Sequence, residues 1–240
     1  MNNSADFAPE VDPYQSEFSG VQNWREASCH PVSHPVSARH SGYLFFKRLF
    51  DIVLSSLALV ALSPLFLAVA FIVKLDSCGP AFFVHTRVGK NHKPIKIYKF
   101  RTMSNGAEDM IQNFTQEQKK KYIQNYKLED DPRITRVGKF LRKTSIDELP
   151  QLFNVLIGNI SLVGPRPITE VELKKYGNNI QTLLSVKPGL TGYWQVHGRS
   201  DTTYEQRVKM DIKYIENRSL GLDTKIIFMT IPVVLSRKGA

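Results

Sequence analysis

The chain has 240 residues, of which 42% are apolar, and its formal net charge is +10. This apolar fraction supports a hydrophobic core and excludes a wholly disordered chain, while two cysteines are too few for a disulfide scaffold or a cysteine-based metal module. Residues 74–143 carry sixteen basic and seven acidic side chains, and such a basic tract indicates an anionic partner: a phosphate, a nucleotide, a nucleic acid or an acidic lipid surface.

Residues 1–42 are polar and contain several prolines, which predicts a flexible tail. An apolar run follows, in which Ile52 to Val73 are 22 residues without a charge, about the length that crosses a bilayer. Ser63 and Pro64 lie near its centre, where a proline kinks or breaks a helix. Because basic residues flank both ends, the positive-inside tendency favours a hairpin that enters and leaves on one face. A kinked spanning helix is the alternative.

The segment after the apolar run alternates apolar and polar residues on both sides of a turn at residues 89–94, which predicts a β-hairpin. Helices are predicted over residues 116–127, 134–143, 146–157 and 204–216, and loops at "SLVGPRP" and "KPGLTGYWQVHGR". The late apolar stretch "IIFMTIPVVL" is too short to span a membrane, so we expect a core helix or an amphipathic surface helix.

Asp147 and Glu148 are adjacent acids that follow the basic tract. One interpretation is structural, because Ser145 and Glu148 have the spacing of a capping box and acids suit the first turn of a helix. The other is chemical, because a carboxylate nucleophile beside a magnesium-binding carboxylate suits phosphoryl transfer. The two residues alone leave both interpretations open.

Arg166 stands between two prolines, which leaves its guanidinium as the obvious donor of its loop, and the arginine fork suits phosphate oxygens. A rigid loop with a solvated arginine is equally compatible with this pattern. The next loop adds Lys187 and Arg199. Its aromatic pair, Tyr193 and Trp194, could stack on a base, although packing in the core is the commoner role.

Six motifs occur in chain order and together resemble those of a known family, although no single motif would be specific enough. They are "KRLFD", the "SP" within the apolar run, "RVGKN…IYKFRTM", "DDPRITRVGKFLRKTSIDELPQL", "SLVGPRP" and "KPGLTGYWQVHGR". From Lys47 onward the chain resembles the bacterial sugar transferases, also called monotopic phosphoglycosyl transferases. It is most similar to the compact undecaprenyl-phosphate galactose phosphotransferases of exopolysaccharide or O-antigen synthesis.

The resemblance implies an α+β, mainly helical fold. It consists of a re-entrant membrane helix-break-helix and a small cytoplasmic catalytic domain with a β-hairpin and amphipathic interface helices. The expected divisions are the tail over residues 1–42, the membrane hairpin over 43–75 and the catalytic domain over 76–240. The expected location is the bacterial inner membrane, with the catalytic domain on its cytoplasmic face.

The resemblance also implies a reaction. Asp147 would attack the β-phosphate of a UDP-sugar, expel UMP and hold the sugar phosphate covalently, while Glu148 would ligate Mg²⁺. Undecaprenyl phosphate would then attack the adduct and free Asp147, in the first membrane step of repeat-unit assembly. We expect the sugar to be galactose, with glucose or an N-acetylated sugar as alternatives.

The further site residues are assigned by the same resemblance. The basic residues expected to bind substrate phosphates are Lys99, Arg142, Arg166 and Arg199. The residues expected near the lipid headgroups or at the helix break are Lys47, Arg48, Asp51, Ser63 and Pro64.

Other classes of function fit the sequence less well. A nucleic-acid-binding protein would explain the basic tract but not the apolar run, so no nucleic acid is expected as a partner. A membrane-anchored scaffold would leave the phosphate-type loops without a role, and a true glycosyltransferase would release UDP rather than UMP. A homo-oligomer stays open.

Overall fold

The apolar segment forms two helices that meet at a sharp bend. The computed structural model describes residues 39–107, 109–119, 128, 131–198 and 202–235. Helix α1 covers Arg39–Ala61 and α2 covers Ser63–Asp76, with a 61° bend between them. Pro64 lies in the first turn of α2, where its missing N–H removes no intrahelical bond. The predicted break is therefore present, at the predicted place.

Among the described residues, no single helix is long and apolar enough to cross a membrane, whereas Gly42–Ala61 and Ser63–Asp76 satisfy that criterion together as a bent pair. The predicted tail, residues 1–42, lies outside the described residues apart from its last four, which belong to α1.

The predicted β-hairpin follows α2. Strand β1 (Phe82–Val88) pairs antiparallel with β2 (Pro94–Phe100), in a register that runs from Phe82 opposite Phe100 to Val88 opposite Pro94. The connecting turn is a 3-10 helix over Lys90–His92. Seven residues of each strand are paired, so the alternation seen in the sequence corresponds to a real strand pair.

The remaining elements are short apart from the last two helices. The α-helices are α3 (Arg136–Lys143), α4 (Gln151–Ile157), α5 (Glu170–Leu173), α6 (Ile180–Leu184), α7 (Tyr193–His197), α8 (Tyr204–Asn217) and α9 (Leu220–Leu235). The 3-10 helices cover Asp109–Asn113, Ile146–Glu148 and Lys174–Asn179. Strands β3 (Ser161–Val163) and β4 (Gly189–Thr191) pair in parallel. The architecture is thus mixed and mainly helical with two small sheets, consistent with the α+β class.

The predicted loops and one predicted helix differ from these elements, and a second predicted helix is only partly described. The two segments predicted as loops contain β3, β4 and α7. The helix predicted over residues 146–157 is divided into a 3-10 turn and α4, with Pro150 at the α4 N-cap position. Of the helix predicted over residues 116–127, residues 116–119 are helical and the others lie outside the described residues.

The core surrounds β2. One buried cluster joins Val69 and Val73 of α2 to Phe100 and Leu141. A second joins Ile97 to α4 and the start of β3. Strand β2 therefore packs against α2 through one part of its length and against α4 through another, which connects the apolar hairpin to the rest of the fold.

Two arginines each donate hydrogen bonds to backbone carbonyls at the C-terminal end of a helix from another part of the chain. Arg48 of α1 donates to the carbonyls of Val155 and Leu156 at 2.7 and 2.8 Å, at the C-terminus of α4. Arg101, just after β2, donates to the carbonyls of Ser77 and Cys78 at 2.6 and 3.0 Å, just after α2. A cation at a helix C-terminus pairs with its free carbonyls and its dipole. Both ends of the α1–α2 pair are thereby bound to the same domain.

A single buried asparagine holds α4 against the edge of β2. Asn154 is fully buried, its Nδ2 donates to the Lys96 carbonyl at 2.6 Å, and its Oδ1 accepts from the Tyr98 amide at 2.9 Å. We expect Asn154→Ala to lower the free energy of unfolding by about 2–4 kcal/mol, because both backbone groups lose their partner. Denaturant unfolding of the detergent-solubilised protein measures this, with Asn217→Ala as the matched control, since Asn217 donates to a carbonyl at an exposed site. Equal effects of the two changes would contradict the assignment.

Candidate active site

The Asp147–Glu148 pair lies on the 3-10 turn between α3 and α4. Ser145, which precedes the turn, is in the left-handed conformation with φ 56° and its side chain caps no amide. The capping-box interpretation is therefore wrong for this segment. The Glu148 carboxylate points to other elements instead, which leaves both acids available to a site.

Two cations from distant segments bind Glu148. Lys99 Nζ lies 2.6 Å from Glu148 Oε1, and an Arg166 terminal nitrogen lies 3.2 Å from the same oxygen. Burial alone would raise the pKa of Glu148, but the charges and hydrogen bonds of Arg166 and Lys99 outweigh it and lower the pKa to about 2. Glu148 is therefore an anion at neutral pH.

Asp147 has a different environment. Its side chain is only 8% exposed, and none of the described residues donates a hydrogen bond to its carboxylate. Burial, together with the adjacent charge of Glu148, raises the pKa of Asp147 to about 6, against the opposing charges of Lys99, Arg142 and Arg166. At neutral pH the group is ionised, yet it is far more basic than its neighbour.

Arg142 completes the group of cations around the dyad. It leaves the last turn of α3, and its Nε donates to Thr102 Oγ1 at 2.9 Å. Thr102 is itself buried, so this contact fixes the guanidinium near Asp147. The structure thus brings together Asp147, Glu148, Lys99, Arg142 and Arg166, and the fourth predicted phosphate-binding residue, Arg199, lies outside the described residues.

The three polar residues of α1 that were predicted near lipid headgroups all have intramolecular partners. Lys47 forms a 2.7 Å ion pair with Asp223 of α9, and Arg48 binds the end of α4 as described above. Asp51 is buried and accepts hydrogen bonds from Ser161 Oγ and the Leu162 amide at 3.0 and 2.9 Å. These contacts join α1 to the domain, and contact of the three residues with lipid stays a prediction.

At the predicted helix break, the Ser63 hydroxyl donates to the Val60 carbonyl at 2.8 Å. This bond satisfies a carbonyl at the end of α1 that has no helical donor, because the residue four positions on is Pro64, which lacks an N–H. Ser63 and Pro64 therefore have a structural role at the bend, and any contact with lipid is again a prediction.

The aromatic pair of the "KPGLTGYWQVHGR" segment is half-buried on α7 and does not enter the core. The Tyr193 ring stacks on His197 with 4.1 Å between ring centroids, and the Arg207 guanidinium lies 4.6 Å from the centroid of Trp194. Core packing, the role preferred from the sequence, is therefore wrong for both rings.

Sequence reasoning missed Arg87, which forms a 3.2 Å ion pair with Glu172 of α5. In the β-hairpin, Phe83 lies opposite Lys99 and Arg87 lies opposite Ile95. Because alternate residues of a strand share a face, Arg87 and Lys99 point to the same side of the hairpin. The alternation within "FFVHTRV" indicates that Arg87 shares a face with Lys99, but only when the register of the hairpin is known.

The carboxylates of Asp147 and Glu148 are the candidate ligands of a divalent cation at this site. The described residues contain no group of three or more histidines, cysteines and carboxylates that could hold a metal by themselves. The dyad provides carboxylate oxygens, and only Oε1 of Glu148 is engaged by Lys99 and Arg166. Mg²⁺ typically takes one or two carboxylates and completes its shell with phosphate oxygens and water. The residues therefore fit Mg²⁺ when it is shared with a phosphate-bearing ligand.

The raised pKa of Asp147 has a consequence for stability. Asp147 ionises near pH 3.8 in the unfolded state but only near pH 6 in the folded state. As the pH rises through this window, the free energy of unfolding therefore falls by up to about 3 kcal/mol. We expect Asp147→Asn to be more stable than the unchanged protein at pH 7.5, and the difference to shrink as the pH falls below about 6 and to vanish only below 3.8. Urea unfolding across this range checks it, with exposed Asp76→Asn as the control. A stability difference independent of pH would contradict the environment described for Asp147.

Comparison with known proteins gives a consistent result. Residues 42–237 match the model of the bacterial sugar transferase family. The chain is 46% identical over 197 residues to the exopolysaccharide production protein ExoY of Sinorhizobium fredii, an alignment that covers 81% of this chain and 87% of ExoY.

Two further relatives are longer proteins. The chain is 46% identical over 199 residues to the undecaprenyl-phosphate galactose phosphotransferase of Salmonella typhimurium, and 45% identical over 196 residues to the UDP-glucose:undecaprenyl-phosphate glucose-1-phosphate transferase of Klebsiella pneumoniae. These alignments cover 82% and 78% of this chain but only 42% and 40% of the relatives. The family resemblance predicted from the motifs is confirmed, and the chain belongs to the bacterial sugar transferase family.

Proposed function

We propose that this protein transfers a sugar 1-phosphate from a UDP-sugar to undecaprenyl phosphate and releases UMP, through a covalent intermediate on Asp147. The observation that carries the proposal is the difference between the surroundings of Asp147 and those of Glu148. Asp147 is ionised at neutral pH and free of hydrogen-bond donors among the described residues, whereas two cations bind Glu148. The names of the Salmonella and Klebsiella relatives support the substrate classes.

Basicity decides which acid is the nucleophile. A carboxylate with a pKa of about 2 that is bound by two cations is a poor electron-pair donor. Asp147, with a pKa of about 6, is both more basic and unencumbered, so it forms a bond to phosphorus more readily. The neighbouring cations lower the repulsion between the carboxylate and the phosphate groups that it must approach.

The first half-reaction transfers the sugar phosphate to the protein. An Asp147 carboxylate oxygen attacks the β-phosphorus, the bond from that phosphorus to the bridging oxygen breaks, and the electron pair leaves with UMP. Lys99, Arg142 and Arg166 supply the positive charge that the phosphoryl oxygens need, since arginine and lysine donors pair well with them. The product is an aspartyl phosphosugar and free UMP.

The second half-reaction regenerates Asp147. A phosphate oxygen of undecaprenyl phosphate attacks the same phosphorus, and the bond between phosphorus and the Asp147 oxygen breaks. Asp147 recovers its negative charge, and the lipid carries the sugar on a diphosphate.

Glu148 is the residue that would hold Mg²⁺, together with phosphate oxygens of the substrate. When bound, Mg²⁺ neutralises phosphate charge and polarises the phosphoryl group. Lys99 and Arg166 fix the Glu148 carboxylate through one oxygen, which keeps it ionised and directed towards the site.

The bent helix pair supports a re-entrant membrane hairpin. The pair exposes a large apolar surface, which is unfavourable in water. The apolar residues that are each more than 60% exposed are Phe45, Leu57, Val60, Leu67, Phe71 and Leu75. Arg48 binds the start of the pair to α4, and Arg101 binds its end after β2. Since one domain holds both ends, the pair enters and leaves the bilayer on one face, which we propose is the cytoplasmic face of the bacterial inner membrane.

The sugar and the pathway are parts of the same proposal. We favour galactose 1-phosphate and the first membrane step of exopolysaccharide or O-antigen assembly, in line with the names of ExoY and the Salmonella relative. The Klebsiella relative, named for glucose, is almost equally similar. Purified membranes with undecaprenyl phosphate and a panel of UDP-sugars identify the donor by UMP release, and release of UDP would instead indicate a glycosyltransferase.

Covalent catalysis by Asp147 predicts a burst. Protein given only UDP-sugar and Mg²⁺ should release about one UMP per active site and become labelled by the sugar phosphate, as a ping-pong mechanism requires. Asp147→Asn should abolish both signals, while Asp76→Asn should retain them. The burst rate should rise with pH through about 6, because protonated Asp147 is no nucleophile. UMP that appears only after lipid is added would contradict the covalent step.

The re-entrant topology predicts labelling from one side. Cys78 is exposed, and a side chain at Gly42 meets no other atom within 4 Å, so Gly42→Cys is sterically tolerated. In a Cys29→Ala background, an impermeant thiol reagent should reach positions 42 and 78 from the cytoplasmic face of membrane vesicles only. Ser63→Cys at the bend should stay unlabelled from both faces. Labelling of the two ends from opposite faces would show a spanning helix instead.

A further inference from the structure

Arg87 has the properties of a binding residue that the dyad alone does not explain. Its side chain is 21% exposed and leaves β1 on the face that also carries Lys99. Its guanidinium is bound on one side only, by Glu172 at 3.2 Å. Among the described residues it donates to no other group, which leaves most of the five N–H donors of the guanidinium for a ligand.

Glu172 is itself fixed. Its Oε2 accepts hydrogen bonds from the amide and hydroxyl of Thr169, both at 2.8 Å, in the capping box that begins α5. A carboxylate held by two other donors is an immobile anchor. Arg87 is therefore oriented before any ligand arrives, which lowers the entropy cost of binding.

Arg87 and Arg166 lie close enough for their charges to interact. The Val88 amide, next to Arg87, donates to the Ile168 carbonyl at 2.9 Å, which joins the end of β1 to the loop that carries Arg166. Burial and the charge of Arg166 lower the pKa of Arg87, so the two guanidinium groups also repel each other. Each has a carboxylate anchor, Glu172 for Arg87 and Glu148 for Arg166.

The charges around this pair are not balanced. Four cations, Lys99, Arg87, Arg142 and Arg166, accompany the carboxylates of Asp147, Glu148 and Glu172. The charge of Arg166 also reaches the buried Asp211, but burial raises the pKa of Asp211 to about 7, so this carboxyl is partly protonated at neutral pH. Two adjacent guanidinium groups with spare donors suit two linked phosphates, because each fork can bind one phosphate group. A nucleoside diphosphate has this arrangement of charge.

We propose that Arg87 is a second phosphate-binding arginine, which holds the phosphate next to the nucleoside while Arg166 holds the phosphate that Asp147 attacks. Glu172 is then a positioning residue that acts through Arg87. The inference rests on the proposed function for the identity of the substrate, and it adds the order of the two phosphates along the site: from Asp147 and Arg166 towards Arg87 and α5.

Binding of UMP and UDP tests this order, because UMP carries only the phosphate next to the nucleoside. Titration calorimetry uses the full chain in lipid nanodiscs with Mg²⁺. Arg87→Met should weaken UMP and UDP alike by about 10- to 100-fold, the range for hydrogen bonds to a charged group. Arg166→Met should weaken UDP by a similar factor and change UMP by less than about twofold.

Two pairs of variants separate binding from folding. Arg87→Lys keeps the charge and the aliphatic stem but loses the fork, so it should fold even where Arg87→Met does not, with a smaller loss of UMP affinity. Glu172→Gln should raise the KM for UDP-sugar without changing the KM for undecaprenyl phosphate. Glu170→Gln is its matched control on the same helical turn, since Glu170 pairs with His92 instead, and it should change neither KM.

The outcomes distinguish this inference from the proposed function. If the unchanged protein releases UMP from a UDP-sugar but both Arg87 variants bind UMP normally, the inference is wrong and the function stands. If no UDP-sugar yields UMP while Arg87→Met still loses UMP binding, the inference stands and the function is wrong. Absence of UMP binding by the unchanged protein, or a UMP loss confined to Arg166→Met, overturns the inference.

Discussion

The contact between Glu148 and its two cations is the interaction on which the site depends. Lys99 comes from β2 and Arg166 from the loop after β3, so the carboxylate lies where three segments of the chain converge. The surroundings of Asp147 act in the opposite direction. Burial is the main reason that the pKa of Asp147 is raised, and the fixed negative charge of Glu148 adds to it, against the opposing charges of Lys99 and Arg166. Adjacent residues of one chemical type thus acquire different roles from their surroundings.

A second constraint connects this site to the apolar hairpin. Strand β2 provides Lys99 to the dyad, packs Phe100 against α2, and is followed by Arg101, which binds the end of α2. These three consecutive residues connect the Asp147–Glu148 dyad and the hairpin without an intervening loop. Motion of α2 relative to the dyad would require the loss of buried contacts as well as hydrogen bonds, so the two parts behave as one rigid unit.

The sequence predicted the features that depend on local signals. The break at Ser63–Pro64 follows from the backbone chemistry of proline, and the β-hairpin follows from alternation around a turn. The family motifs marked Asp147 and Glu148 as candidates. Local signals could not resolve Ser145, because a serine three residues before a glutamate has the same spacing whether it caps a helix or adopts the left-handed conformation. The three-residue strands β3 and β4 are too short to show any period.

Long-range contacts escaped prediction for a different reason. Lys99 lies 49 residues from Glu148, Glu172 lies 85 residues from Arg87, and Val155 lies 107 residues from Arg48, and a single sequence contains no record of such pairs. The charge of Arg87 was visible, but its alignment with Arg166 depends on how the end of β1 joins the loop at Ile168. For Lys47, Arg48 and Asp51 the family resemblance implied a place near lipid headgroups, and only the structure shows that they also have partners within the fold.

The double attachment of the α1–α2 pair has a consequence for how often the catalytic groups meet a lipid. A domain held by one flexible tether tumbles, and its site faces the bilayer for only part of the time. If the hairpin is embedded in lipid as proposed, two attachment points through Arg48 and Arg101 remove that tumbling and set the height of the dyad above the headgroups. Encounter then becomes a search in two dimensions, because a lipid that diffuses laterally already has the correct depth and orientation. The orientational entropy is paid once, when the hairpin inserts, and not again in each catalytic cycle.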